Sequence, residues 1–193
     1  MGASNLLKNF SAMLAAVLIL VACSVGGARQ PDIARYDLGP PPTPFGGDSG
    51  VVAIELVAPS WLGGDGMQYR LAYANPARRL EYAESRWVAP PADLLRQSLQ
   101  RRLTAGAGRC RLRFDVDEWV QIFDSPETAH LALEGRAALF AGKDVLGRKP
   151  VAFSVATSSA DAKGGVAAAA AVAQTLGDEL GVWLAAYADR CRG

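Results

Sequence analysis

The run Arg111-Leu112-Arg113-Phe114-Asp115-Val116-Asp117-Glu118-Trp119-Val120-Gln121-Ile122-Phe123 decides the fold. Leu112, Phe114, Val116, Val120 and Ile122 fall on one side of an extended chain, with Arg111, Arg113, Asp115 and Asp117 opposite. Side chains of a strand alternate between faces, so the pattern predicts a long strand with one face buried and the other solvated.

Downstream, Asp124-Ser125-Pro126 is a turn. Leu131, Leu133, Ala137 and Leu139 then alternate with His130, Glu134 and Arg136, and Val151, Phe153 and Val155 alternate again. Three successive strands predict an antiparallel meander. Upstream, Val51 to Val57 and Met67 to Tyr73 also read as strands, the first from its β-branched residues and the second from its alternation.

Two segments change to helical spacing. Pro90-Pro91 opens the first, since proline is tolerated in a first turn; Leu95, Leu99 and Leu103 form its apolar stripe, and Gly106 and Gly108 end it. The second runs from Val166 to Tyr187, with Val166, Ala170, Ala173, Leu176, Leu180, Trp183, Leu184 and Tyr187 facing inward and Asp178 and Glu179 outward. The expected architecture is α+β, a mostly antiparallel sheet with two main helices packed on one face.

Residues 51–193 are read as this single domain. Residues 23–50 are rich in Gly, Pro and Asp, with Pro40-Pro41-Pro42 and Gly46-Gly47, and read as a flexible tether. Its Tyr36-Asp37-Leu38 is expected to join the sheet as one short strand.

Residues 1–22 have the profile of a signal peptide. Lys8 is followed by an apolar run from Phe10 to Val21, with no further charge before Arg29. The run is shorter than the roughly 20 apolar residues that a spanning helix needs. It ends in Leu20-Val21-Ala22-Cys23, which resembles the bacterial lipobox. There the cysteine thiol takes the lipid because a thiolate is nucleophilic enough, and small side chains admit the backbone to the peptidase. Cys23 is therefore the expected lipidation site, anchoring without spanning, since each buried methylene contributes roughly 0.8 kcal/mol. Ser24, where an aspartate would favour inner-membrane retention, directs the expectation to the inner leaflet of the outer membrane, facing the periplasm.

The chain carries 20 basic and 19 acidic residues, and Lys8 is the only charge before Cys23, so the exported part is balanced. There is no basic run or aromatic-basic interleaving of the kind nucleic-acid binders use, so no nucleic-acid partner is expected. With Cys23 lipidated, Cys110 and Cys191 remain as an even pair in an oxidising compartment. A disulfide between them is expected, with two buried free thiols as the alternative; the bridge would be worth about 4 kcal/mol in the chain-entropy account. If the last helix continues, positions 180, 184, 187 and 191 share one stripe, which turns Cys191 toward the sheet.

The search for chemistry points to no enzyme. Gly47-Asp48-Ser49-Gly50 copies the nucleophile string of trypsin-like proteases, but that family's histidine and aspartate precede the serine, and the one histidine, His130, follows it. A single histidine and cysteines far from any CxxC spacing predict no metal and no cofactor. Gly106-Ala107-Gly108 lacks the third glycine and following helix of a phosphate cradle, and Asp115 and Asp117 lie among arginines as a solvated face. What exceeds the background is a set of partner-binding candidates: Trp61, and the aromatic, arginine and proline cluster Tyr82, Ser85, Arg86, Trp87, Pro90 and Pro91, read as a connection with the composition of an interface hot spot. The bland alternative is an aromatic that anchors a loop onto the core.

Several runs together resemble the ABC-type transport auxiliary lipoproteins, relatives of the paraquat-inducible protein C. They are Tyr36-Asp37-Leu38-Gly39-Pro40, Pro59-Ser60-Trp61-Leu62, Met67-Gln68-Tyr69-Arg70-Leu71, Trp119-Val120-Gln121-Ile122-Phe123-Asp124, Trp183 and, most specifically, the stretch from Tyr82 to Leu95 containing Ser85-Arg86-Trp87 and Pro90-Pro91. The resemblance implies a non-enzymatic partner of an ABC permease and ATPase with an MCE-domain protein, in a system moving phospholipids or other lipophilic molecules across the envelope. It places Cys23 as the lipid carrier, allows a homo-oligomer, and supplies no catalytic residue. The rival expectation is an envelope structural or assembly lipoprotein without a transport role.

Overall fold

The central strand acquires an extra residue half-way along, and this shapes the sheet around it. A computed structural model describes residues 32–40, 43–46, 49–103 and 108–192, and Ile33–Gly193 forms one compact unit. The elements in chain order are β1 (Ala34–Tyr36), β2 (Val51–Val57), a 3-10 turn (Ser60–Leu62), β3 (Gly66–Leu71), β4 (Asn75–Trp87), α1 (Pro91–Leu103), β5 (Cys110–Phe123), β6 (Ala129–Ala141), β7 (Asp144–Ala156), α2 (Ala162–Ala185) and α3 (Ala188–Cys191).

β5 pairs antiparallel with β6 along its full length, but Val116 faces Gly135 while Glu118 faces Glu134, so Asp117 has no counterpart. This is a β-bulge, which shifts the phase of the strand beyond it. Before it, Cys110, Leu112, Phe114 and Val116 are buried; after it, the inward phase passes to Trp119, Gln121 and Phe123. The single-face expectation therefore holds only to Val116. Gly135 fits this crossing because a Cβ there would stand 2.6 Å from the Asp115 carbonyl and 2.8 Å from the Phe114 ring.

The meander β5-β6-β7 is antiparallel as expected, and β3 and β4 add an antiparallel hairpin. Three shorter parallel pairings make the seven-stranded sheet mixed: β1 with β4, β2 with β5, and β3 with β5. β2 and β3 both run beside β5, β2 beside Cys110–Asp115 and β3 beside Gln121–Phe123, with the 3-10 turn between them.

Both main helices pack into one core with the sheet, α1 against β2 and α2 against β6 and β7. Leu95, Leu99 and Leu103 of α1 are buried. Asp161 caps α2, its side chain accepting from the Gly164 N–H at 2.8 Å, which satisfies one of the helix's orphan donors. The inward stripe of α2 includes Ala173, Leu176, Leu180 and Leu184 as expected, but Ala168, Ala169 and Val172 fill the places read for Val166 and Ala170. These two and Trp183 lie at the margin, with Trp183 edge-to-face on Tyr187 at 5.5 Å.

The helix does not continue unbroken to Cys191: it stops at Ala185 and resumes as α3. Cys191 is nevertheless fully buried and bonded to Cys110, which closes the alternative of free thiols. Gly50, at φ +60°, presses against Cys191 where any Cβ would collide, so the bridge ties together the starts of β2 and β5 and the end of the chain. A link across 81 residues removes unfolded-state freedom worth about 4 kcal/mol in the chain-entropy account.

Candidate functional site

The cluster read as a connection is instead the end of β4, and the strand separates its residues. β4 spends five residues between Glu81 and Arg86 where β3 spends two between Gln68 and Gly66, an irregularity that interrupts the simple alternation of a strand. Tyr82 and Ser85 line an open groove of about 410 Å³, together with Tyr36, Ala83, Glu84, Asp161, Ala162 and Lys163. β1 forms one side by pairing Ala34 with Ser85, and the first turn of α2 forms the other.

Tyr82 is half-buried and its ring meets Tyr69 at 4.7 Å. Its hydroxyl donates to Gln121 Oε1 at 3.1 Å, and Gln121 Nε2 donates to the Asp161 carbonyl at 3.1 Å. Gln121 thus bridges β4 to the start of α2, and at 3% exposure it needs both partners. Burial, then the neighbouring Asp161 carboxylate, pushes the Tyr82 phenol well above its ordinary value of 10.0. Asp161 is shifted the other way: the Gly164 N–H, then the Ser159 hydroxyl, holds its carboxyl below the usual range.

The other candidates lie elsewhere. Arg86 folds back on its own strand, Nη1 donating to the Ser85 carbonyl at 2.9 Å and to that of Tyr82. Trp87 is 3% exposed and sits edge-to-face on Trp119 at 6.4 Å, so it anchors the core and is not available as a surface contact. Pro91 is likewise buried, while the Pro90 carbonyl accepts from the N–H groups of Asp93 and Leu94 and starts α1. Trp61, 54% exposed, stands apart in the 3-10 turn and lines a second groove of about 370 Å³ with Val57, Pro59, Arg113, Asp117 and Arg136. Its carbonyl accepts from Gln68 Nε2 at 2.6 Å, which ties the backbone of the turn to β3.

Cys23 and the whole of residues 1–22 lie outside the described residues, as do Gly47, Asp48 and Gly106. Ser49 is described and buried, its hydroxyl donating to the Leu103 carbonyl, which makes it a support for the end of α1. His130 is half-exposed beside Asp124, Nδ1 at 2.8 Å from the carboxylate.

Sequence reading missed Tyr36 and Asp161 as groove residues and Gln121 as the buried bridge behind them. Asp161 had a legible signal, an aspartate just before a helical pattern. Gln121 had none, because only the bulge turns it inward.

The sheet order, the parallel β1 to β4 pairing and the two helices on one face define the fold for comparison. It is similar to that of a Xanthomonas campestris protein of the family DUF330. The two superpose with a TM-score of 0.69 at 18% identity, over 81% of this chain and 98% of that one. A second solved structure, of an uncharacterized protein, gives a TM-score of 0.63 at 13% identity, over 79% and 99%. At these identities the likeness is one of fold. The sequence matches no family model and no curated protein.

Proposed function

We propose that the protein is a periplasm-facing, lipid-anchored, non-enzymatic auxiliary component of an ABC and MCE-type transport system that moves phospholipids or other lipophilic molecules across the envelope. Cys23 carries the lipid, in the inner leaflet of the outer membrane, and the MCE-domain protein with its permease and ATPase are the partners. The observation that carries the exported reading is the Cys110–Cys191 disulfide, since such bridges persist in oxidising compartments. Among the described residues no helix is long and apolar enough to cross a membrane.

Support for an auxiliary, contact-making role comes from the two grooves. The Tyr82–Ser85 groove offers an aromatic wall, a hydroxyl and charges of both signs, and the Trp61 groove offers an exposed indole. Tyr and Trp give large contact area with few rotatable bonds, as protein interfaces favour. The pocket beside Trp119, in the core, is only about 10 Å³, room for one water, and the larger grooves are open to the surface, as docking sites are.

The test is affinity purification of the tagged, acylated protein from crosslinked envelopes, with Cys23→Ala as the anchoring control and Tyr82→Ala and Trp61→Ala as contact variants. Recovery of an MCE-domain protein and its ATPase, reduced by either contact variant, is the expected result. Repeated recovery of other outer-membrane machinery without them would favour the structural or assembly role.

A further inference from the structure

Strand directions fix which end of the domain the N-terminal chain approaches. β3 runs parallel to β5, with Leu71 beside Phe123, and β4 runs antiparallel to β3. β1 is parallel to β4, so it enters the sheet travelling from the Phe123 end toward the Cys110 end. Arg35 pairs with Arg86, which pairs with Gly66, and Gly66 stands five residues before Leu71. At the rise of a strand, β1 therefore starts about 17 Å from the Phe123 end.

Cys23 precedes Arg35 by twelve residues, whose fully extended reach is about 40 Å. That is enough to bring the Phe123 end to the surface in which an acyl chain on Cys23 is seated. Presenting the Cys110 end would require the chain to double back after entering from the other side.

The Phe123 end also carries a side chain suited to a bilayer. The β3–β4 hairpin is tied there by the Ala72 N–H donating to the Phe123 carbonyl, and at its tip Tyr73 is 50% exposed. Tyrosine places its apolar ring and polar hydroxyl together at the headgroup level. Ile33, just before β1, is also exposed. Glu127 and Asp161 stand at this end too, so any attraction is through Tyr73 and not through excess positive charge.

We propose that the sheet end bearing the Tyr73 hairpin faces the lipid bilayer and the opposite end, bearing the Cys110–Cys191 bridge and the β6–β7 turn, faces the periplasm. This rests on the lipoprotein reading above. The orientation leaves the β6–β7 turn and the far end of α2 accessible to periplasmic proteins.

The acylated mature protein simplifies the test, because Cys23 is blocked by its lipid and the other two cysteines are bridged. A cysteine introduced as Ala74→Cys, which leaves Tyr73 in place, or as Lys143→Cys is then the one free thiol; both positions are exposed turns at opposite ends. Each variant, nitroxide-labelled, is reconstituted in phosphatidylethanolamine–phosphatidylglycerol vesicles containing a nickel-chelating lipid. Loss of spectral amplitude at position 74 with full amplitude at position 143 is the expected result. Equal amplitude at both positions, or loss at 143 alone, overturns the orientation, and a partner protein becomes the occupant of the Tyr73 end. Mass spectrometry of the same samples separates the premise: an unacylated Cys23 overturns the lipoprotein reading itself.

Discussion

The two halves of β5 lie in one strand and are held by different forces. From Cys110 to Val116 the inward side is apolar throughout, with Leu112 and Phe114 fully buried and the disulfide fixing its start. From Glu118 to Phe123 the inward side mixes Trp119 and Phe123 with Gln121, whose amide ties β4 to the cap of α2. The first half is stabilised by packing and a covalent link, the second by a polar bridge that must stay complete. Asp117, the unmatched residue between them, lets both halves face the same core.

Deleting Asp117 should have the largest effect, because removing the bulge turns Trp119 and Phe123 toward solvent. A one-residue slip flips every side chain beyond it, so the loss should approach a whole domain's stability, on the order of 5 kcal/mol or more. Circular dichroism with urea titration would read it; a deletion variant that unfolds at the original midpoint would remove the bulge's role.

Next in size is the pair Cys110→Ala and Cys191→Ala. Loss of a native bridge in an exported domain typically costs about 2–5 kcal/mol, seen as a lowered denaturant midpoint, and the cost should vanish when the parent is measured under strong reductant. Gln121→Leu should cost about 1–3 kcal/mol, since it leaves the half-buried Tyr82 hydroxyl without its partner, while the Asp161 carbonyl keeps the Gly165 N–H at 3.1 Å. If Gln121→Leu were neutral while Phe114→Ala was costly, the polar bridge would be incidental.

The smallest effect is confined to alkaline pH. The Tyr82 phenol titrates higher in the folded protein than in the unfolded chain, so its stabilisation is complete below pH 10.0 and is lost as pH rises toward the folded value. Tyr82→Phe should flatten the decline of the urea midpoint above pH 10, while at neutral pH it should show only the loss of one hydrogen bond, about 1 kcal/mol. A decline that is the same in both proteins would assign it to other groups.

The same comparison shows what could be read from residues alone. β2 spans the expected Val51–Val57, and α1, β6 and β7 were legible because their periodicity is local and uninterrupted. Gln121 was not, since the bulge that turns it inward leaves only one additional residue in the string. The parallel pairings of β1, β2 and β3 join segments distant in sequence, and local alternation says nothing about such partners. β4 was read partly as a connection because its exposed start, Asn75 to Arg78, includes Pro76 and lacks alternation. That error moved Trp87 from core to surface. The Cys110–Cys191 pair, by contrast, was legible from counting and from the 3.6-residue spacing that turns Cys191 inward, although the helix breaks before reaching it.

The most direct test of the account is intact mass spectrometry of the protein extracted from cell envelopes without reductant. The predicted species begins at Cys23, carries acyl chains on that residue, and is two hydrogens lighter than the form with Cys110 and Cys191 reduced. A species that begins at Met1 with three free thiols would contradict export, lipidation and the bridge together.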